Sequence, residues 1–352
     1  MRRRIWTSTV IFAIAGATVS ASAHAQTPEQ IASAYLKDRN SELVSGPVKD
    51  TAAPPTDAVA PDLAVREDRL KATLRSRRQE LAASGERYTR ATTTTQVLKT
   101  TRTGQKLVLR IEEETRLDYE RVDGTEPPFT SFVASRDFSF TLTPKDGWIL
   151  RDVRLMDRNA IAPINDVHTA APEMTGNEAA GAGRAPSATS RDGGTVAMKA
   201  YSYSAMANYA TRYWRYYNSA YRRMTNDCTN FISQAMRAGG WAMNSGWYRS
   251  NSSWWYNSLN QSFPWGGAEN WYWFATSHSH RTYILSNIWS MGLADVLQMD
   301  FDRNNNINHT MIVTYVGSSQ RYLTYHTTDT LNRSLSSILS SYPSAWYYAH
   351  RT

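Results

Sequence analysis

Leu63, Leu70, Leu74 and Leu81 recur at steps of seven and four through an otherwise charged stretch, which predicts an amphipathic helix ending near Gly85. Upstream, Thr27-Pro28-Glu29-Gln30 has the form of a capping box with proline at the first helical position, so a short helix begins there. The Pro/Ala/Asp-rich stretch from Ser45 to Pro61 between them reads as a loop. Four runs of strand character follow: Tyr88 to Thr100, Gln105 to Asp118, Phe129 to Leu142 and Gly147 to Met156. They are punctuated by turn signals at Gly104, Asp123-Gly124 and Asp146-Gly147. In the last 150 or so residues the period changes again. Met206 to Tyr217 is an aromatic-rich helical pattern. Phe231, Ile232, Ala235 and Met236 then form one face of a second helix that stops at Gly239-Gly240. Asp295 to Phe301, His309 to Tyr315 and Arg321 to His326 read as strands, with a polar loop from Asp302 to Asn308 and a turn at Gly317 to Gln320.

Composition divides the chain near residue 200. From Tyr201 onward there is no lysine, yet 10 of the 12 tryptophans and 17 of the 20 tyrosines lie there. The expected architecture is α+β in two parts. Residues 26–157 form a helix-plus-antiparallel-sheet accessory domain of the kind seen in cystatin-like folds. Residues 200–352 form a second domain, and 158–199 a flexible Ala/Gly/Pro/Ser linker open to proteolysis. Residues 1–25 have a basic start at Arg2-Arg3-Arg4, an apolar run from Val10 to Val19 and a small-x-small site at Ala23-His24-Ala25. That is the pattern of a cleaved signal peptide, too short to span a bilayer, and it predicts a secreted or periplasmic protein with no membrane span. The formal charge of +8 falls to +5 without the three leader arginines and forms no dense stripe, which argues against a nucleic-acid partner.

The chain has one cysteine, so it has no internal disulfide, and a lone thiol in an exported protein is a hazard or a reagent. Asn226 or Asp227 supplies an N-cap that puts Cys228 in the first turn of a helix. There unpaired N–H groups and the helix dipole lower a thiol's pKa. The competing reading is a buried structural cysteine. A thiolate needs an acid–base partner. His309 stands at the mouth of a strand, and His326 is placed to lie on the neighbouring strand. His278-Ser279-His280 has ligand-like spacing on an expected strand, but no second cysteine or acidic cluster accompanies it, so zinc is set aside. Asp300, Asp302, Asn304 and Asn306 imitate a calcium loop without its sixth-position glycine or twelfth-position glutamate, so no metal or other cofactor is expected. Trp241, Trp247, Trp254, Trp255, Trp265, Trp271 and Trp273, interleaved with Asn, Ser and Gly, offer an alternative: a non-catalytic, cell-surface carbohydrate-binding module.

Several segments together resemble the putative amidase domain family over about residues 200–352. They are A-N-Y-A-T-R-Y-W, N-D-C-T-N-F-I-S-Q-A with its following A-G-G, W-W-Y at Trp254 to Tyr256, D-V-L-Q-M-D-F-D, H-T-M-I-V-T and Y-H-T-T-D. That family is similar to the papain-like cysteine hydrolases, near NlpC-type and CHAP cell-wall enzymes. The resemblance implies a papain-like fold, Cys228 as nucleophile and His309 as base. It implies His326 as the third catalytic residue with Asp329 as its rival, and Asp227 and Gln234 supporting the site and its oxyanion. Asn308 stands where the family often has aspartate, which bears on pH behaviour. The implied activity is hydrolysis of an amide in a peptide or peptidoglycan. A thiol acyltransferase would use the same triad.

Overall fold

The computed structural model describes residues 26–46, 53–156 except 123 and 125, 161–167 and 201–352. The expected leader and most of the expected linker lie outside these residues. The capping box forms as expected. Thr27 accepts from the Gln30 N–H, and the Gln30 side chain accepts from the Thr27 N–H, opening α1 (Pro28–Ser41). The leucine stripe lies on α2 (Pro61–Ala83), with Leu63, Leu74 and Leu81 buried. The four strand runs are β1 (Tyr88–Thr103), β2 (Lys106–Tyr119), β3 (Phe129–Thr143) and β4 (Gly147–Leu155), an antiparallel meander. Strict alternation along β2 puts Leu107, Leu109, Ile111 and Leu117 against the helices. It leaves Arg110, Glu112, Glu114 and Arg116 on the opposite face.

The C-terminal half starts with α3 (Tyr203–Tyr213) and α4 (Cys228–Ala238). An aromatic excursion containing α5 (Phe263–Gly266) and α6 (Ala268–Trp273) comes next. The rest is β5 (Tyr283–Ile284), β6 (Val296–Asp300), β7 (His309–Val316), β8 (Arg321–Tyr325), β9 (Thr330–Ser334), α7 (Leu335–Ser341) and β10 (Trp346–Arg351). α3, α4 and the aromatic excursion cover one face of these strands, while α7 and residues 161–162 cover the other. Trp241, Trp254, Trp265 and Trp271 are wholly buried in the first layer. They are core, not a sugar platform. Of the seven tryptophans considered for stacking, Trp247 alone is mostly exposed. His278 and His280 lie on and just after a helical turn at Phe274–His278, not on a strand.

The two halves share one sheet. β3 is longer than its partner β4, and the open stretch of its edge is taken by β9, pairing Ser131 with Leu331 and Phe132 with Thr330. The result is a ten-stranded sheet in the order β1-β2-β3-β9-β8-β7-β6-β10-β5, with β4 beside β3. Every pairing in it is antiparallel.

Residues 161–167, expected in the linker, are packed rather than free. Ile161, Ala162, Ile164 and Asn165 are buried. Asn165 donates to Asn40 and Glu113 and accepts from Arg136, inside a polar knot that also ties Glu113 to Arg136 and Asn40. On the other side the Ala162 N–H donates to the Tyr342 hydroxyl, and Arg333 donates to the Ala162 carbonyl. Buried polar groups need partners, and each half supplies some of the partners this segment uses.

Phe132 is buried where the halves meet, in a cluster with Leu117, Tyr119 and Tyr322. Phe132→Ala should cost about 3–5 kcal/mol, the usual range for such a cavity. Tryptophan fluorescence, which reports chiefly the C-terminal half, should shift to lower denaturant together with far-UV circular dichroism. A fluorescence transition left in place would show that the halves unfold independently.

Candidate active site

Asp227 is the N-cap of α4 and Cys228 its first residue, and the Phe231 N–H to Asp227 carbonyl bond (2.8 Å) opens the helical ladder. The Asp227 carboxylate does not cap the helix itself. Its Oδ1 accepts from the Met224 N–H (2.9 Å) and the Asn230 amide (2.8 Å), and its Oδ2 faces His326 Nδ1 at 2.6 Å. The Asp227 N–H donates to Thr327 Oγ1. The Cys228 sulfur sits 3.8 Å from the Thr229 hydroxyl, with the backbone N–H groups of Thr229 and Thr310 directed at it. The residue is only 5% exposed, and burial pushes its thiol up rather than down. The helix N-terminus is where the sequence placed it. The lowered thiol pKa expected from that position does not follow, because desolvation outweighs the helix and hydrogen-bond contributions.

His326 is the imidazole on this side of the sheet. Leu323 and Tyr325 point to the α7 face, so Thr324 and His326 point to α4. Continuing the β7–β8 register from Ile312↔Thr324 by two residues sets His326 beside Thr310, the residue whose N–H meets the sulfur. Phe231 stacks on the imidazole at 3.8 Å and Tyr217 packs on it at 4.2 Å. Nε2 donates to the Tyr213 carbonyl (2.8 Å). A carbonyl only accepts, so Nε2 is the donor in that bond, and Nδ1 is engaged by the Asp227 carboxylate. In this arrangement both ring nitrogens of His326 are engaged, and neither faces a thiol.

His309 opens β7. It shares the side of β7 with Met311 and Val313, and its ring lies against Tyr325 (5.0 Å) and Phe301 (6.3 Å). Nε2 makes no hydrogen bond. Burial, with Arg333 adding to it, drives its pKa down to about 3. No hydrogen bond joins His309 to Cys228 or His326 among the described residues. Gln234 is also displaced from its expected role. It lies six residues along α4, where its amide oxygen accepts from the Tyr209 hydroxyl (2.6 Å), too far along the helix for an oxyanion at Cys228. Asp227 supports His326, and as an acceptor it cannot bind an oxyanion. Asp329 does not contact His309. It accepts from the Tyr217 hydroxyl (2.9 Å) and borders a cavity of about 170 Å³ that Glu112 and Ser135 of the N-terminal half also line. Burial pushes its carboxyl up to about 6.

Sequence reasoning missed the Asp227–His326 pair and Tyr217. The pair's signal was present: the acid precedes the cysteine, and the histidine opens the last motif. What was missing was the face each strand residue takes. Asp300, the head of the calcium-like pattern, caps its own turn by accepting from Asn304 and Asn305 N–H groups.

Residues 200–350 match the family described as Putative amidase domain. A 118-residue stretch is 30% identical to Uncharacterized protein YhbB of Bacillus subtilis (strain 168), covering 30% of this chain and 34% of that protein, so the match spans about a third of the relative's length. No solved structure matches the chain. Among the described residues no helix is long and apolar enough to cross a membrane.

Two pH effects follow. Iodoacetamide labelling of Cys228 in the intact chain should rise only above the free-thiol pKa of about 8.5, since burial favours the neutral thiol; a midpoint below that value would contradict this geometry. Asp329, with a folded pKa raised to about 6 against roughly 3.9 unfolded, costs stability when ionised. Asp329→Asn should therefore raise the melting temperature at pH 7.5. The gain should shrink as pH falls through 6 and vanish near 4, as thermal melts across that range would show.

Proposed function

We propose that residues 200–352 hydrolyse an amide bond by cysteine catalysis, with Cys228 as the nucleophile and the His326–Asp227 pair as its acid–base partner. The observation that carries this reading is the juxtaposition at the head of α4. A cysteine at a helix N-terminus is followed in register by a buried imidazole on its own side of the sheet, and that imidazole is oriented by the preceding aspartate. The match to an amidase family over the same residues supports the reaction class.

In the reactive arrangement His326 is the Nδ1–H tautomer held by Asp227, and its Nε2, away from the Tyr213 carbonyl, takes the proton of the thiol. The thiolate adds to the carbonyl carbon. As the C–N bond breaks, the imidazolium gives its proton to the departing amine, leaving a thioester on Cys228. Water, deprotonated by the same nitrogen, then releases the acid. The unpaired N–H groups at the start of α4 provide the positive end that a developing oxyanion requires.

A peptide or the stem peptide of peptidoglycan is the substrate class that suits the leader-like pattern of residues 1–25, and secreted or periplasmic action belongs to the same proposal. A helix carrying the cysteine at its head and packed on an antiparallel sheet supports the papain-like reading of the fold.

The test is turnover on a peptide-amide panel and on purified peptidoglycan, with products identified by mass spectrometry. Cys228→Ala and His326→Ala should each lower the rate by at least about 10³-fold while keeping native circular dichroism. His309→Ala should lower stability more than turnover. If His309→Ala is inactive and natively folded while His326→Ala works, the base is His309 and the site must rearrange across β7.

A further inference from the structure

The segment between α3 and α4 is held down at three points. At its start, the Tyr213 carbonyl occupies His326 Nε2. Next, Arg215 reaches across to β2 of the N-terminal half, pairing with Glu112 (3.4 Å) and Glu114. Then the Tyr217 ring covers the His326 imidazole while its hydroxyl donates to Asp329, and the Arg223 guanidinium lies 4.1 Å over the same ring. Between these anchors Tyr216 is 72% exposed, at the surface of the segment. Cys228, which ends the neighbouring connection at the head of α4, is 5% exposed, and His326 has both nitrogens occupied. The cavity of about 170 Å³ lies between this segment and the N-terminal sheet.

We propose that residues 214–226 are a strap over the Cys228–His326 site and that the N-terminal half keeps it closed through Arg215. The closed strap covers the His326 imidazole with the Tyr217 ring, and at its base the Tyr213 carbonyl fills the nitrogen that would take a proton. Release of Arg215 from Glu112 and Glu114 lets the segment lift, frees Nε2 and opens the cavity to a substrate. The anchoring charges are only part-buried, so the latch is weak enough to open under ordinary conditions and sensitive to salt. This inference rests on reading Cys228 and His326 as the site, but its test measures thiol access and not turnover.

Cys228 is the only thiol in the chain, so its alkylation rate reports strap opening directly. Iodoacetamide labelling at pH 8 should be about three- to tenfold faster in Arg215→Ala and in the Glu112→Gln/Glu114→Gln double variant than in the intact chain. Arg215→Lys should label at close to the parental rate, because it keeps the charge. Raising NaCl from 0.05 to 0.5 M should speed labelling of the unaltered protein and leave Arg215→Ala unchanged. The salt arm decides the matter if a variant fails to fold. Unchanged rates in natively folded charge variants, or labelling indifferent to salt, would overturn the strap. A Cys228→Ala protein that still turns over would instead sink the proposed chemistry without touching the labelling result.

Discussion

The molecule depends on a short length of sheet edge. An exposed strand edge is a row of unmet donors and acceptors, and β3 carries one beyond the end of β4. β9 fills it, and the Val133 N–H goes on to hold the Asp329 carbonyl at 2.8 Å. That contact fixes the loop carrying His326, Thr327, Thr328 and Asp329 against the N-terminal half. Glu112 and Glu114, on the face of β2 turned away from α1 and α2, are thereby brought within reach of Arg215. The candidate site therefore lies at a seam between the two halves, and charges from both surround it.

Legibility followed the range of the interaction. The capping box, the leucine stripe and the four N-terminal strands are local patterns, and their boundaries in the structure lie within three residues of those read from the chain. The position of Cys228 at a helix start was equally local. Which face of β7 His309 takes was not legible, because it depends on where α4 packs, and both faces of that strand are buried. A strand buried on both sides gives no alternation of polarity from which to choose. The Asp227–His326 contact spans 99 residues and depends on the same unread register. Residues 161–167 were hidden for another reason. Their short apolar run, Ile161-Ala162-Pro163-Ile164, sits among Ala, Gly and Pro, where composition alone suggests a spacer.

The two histidines show how little residue type decides. His309 is surrounded by aromatic rings and sits near Arg333, so burial keeps it neutral far into acid. His326 is equally buried, yet a carboxylate meets one ring nitrogen and a carbonyl the other. The first imidazole is packed among rings, and the second is half of a hydrogen-bonded pair. Burial removes water from both. What replaces the water decides the chemistry.

The end of β4 acts as a length constraint. Its last pair joins Leu155 to Arg136, and the Met156 N–H still reaches the Ser135 carbonyl. A few more residues of ladder would cover Ser131 and Phe132 and leave β9 without a place. The accessory half would then be a closed meander with no opening for a neighbour. Insertions in the β3–β4 turn are tolerable by this logic, whereas lengthening the strand at its far end would separate the halves.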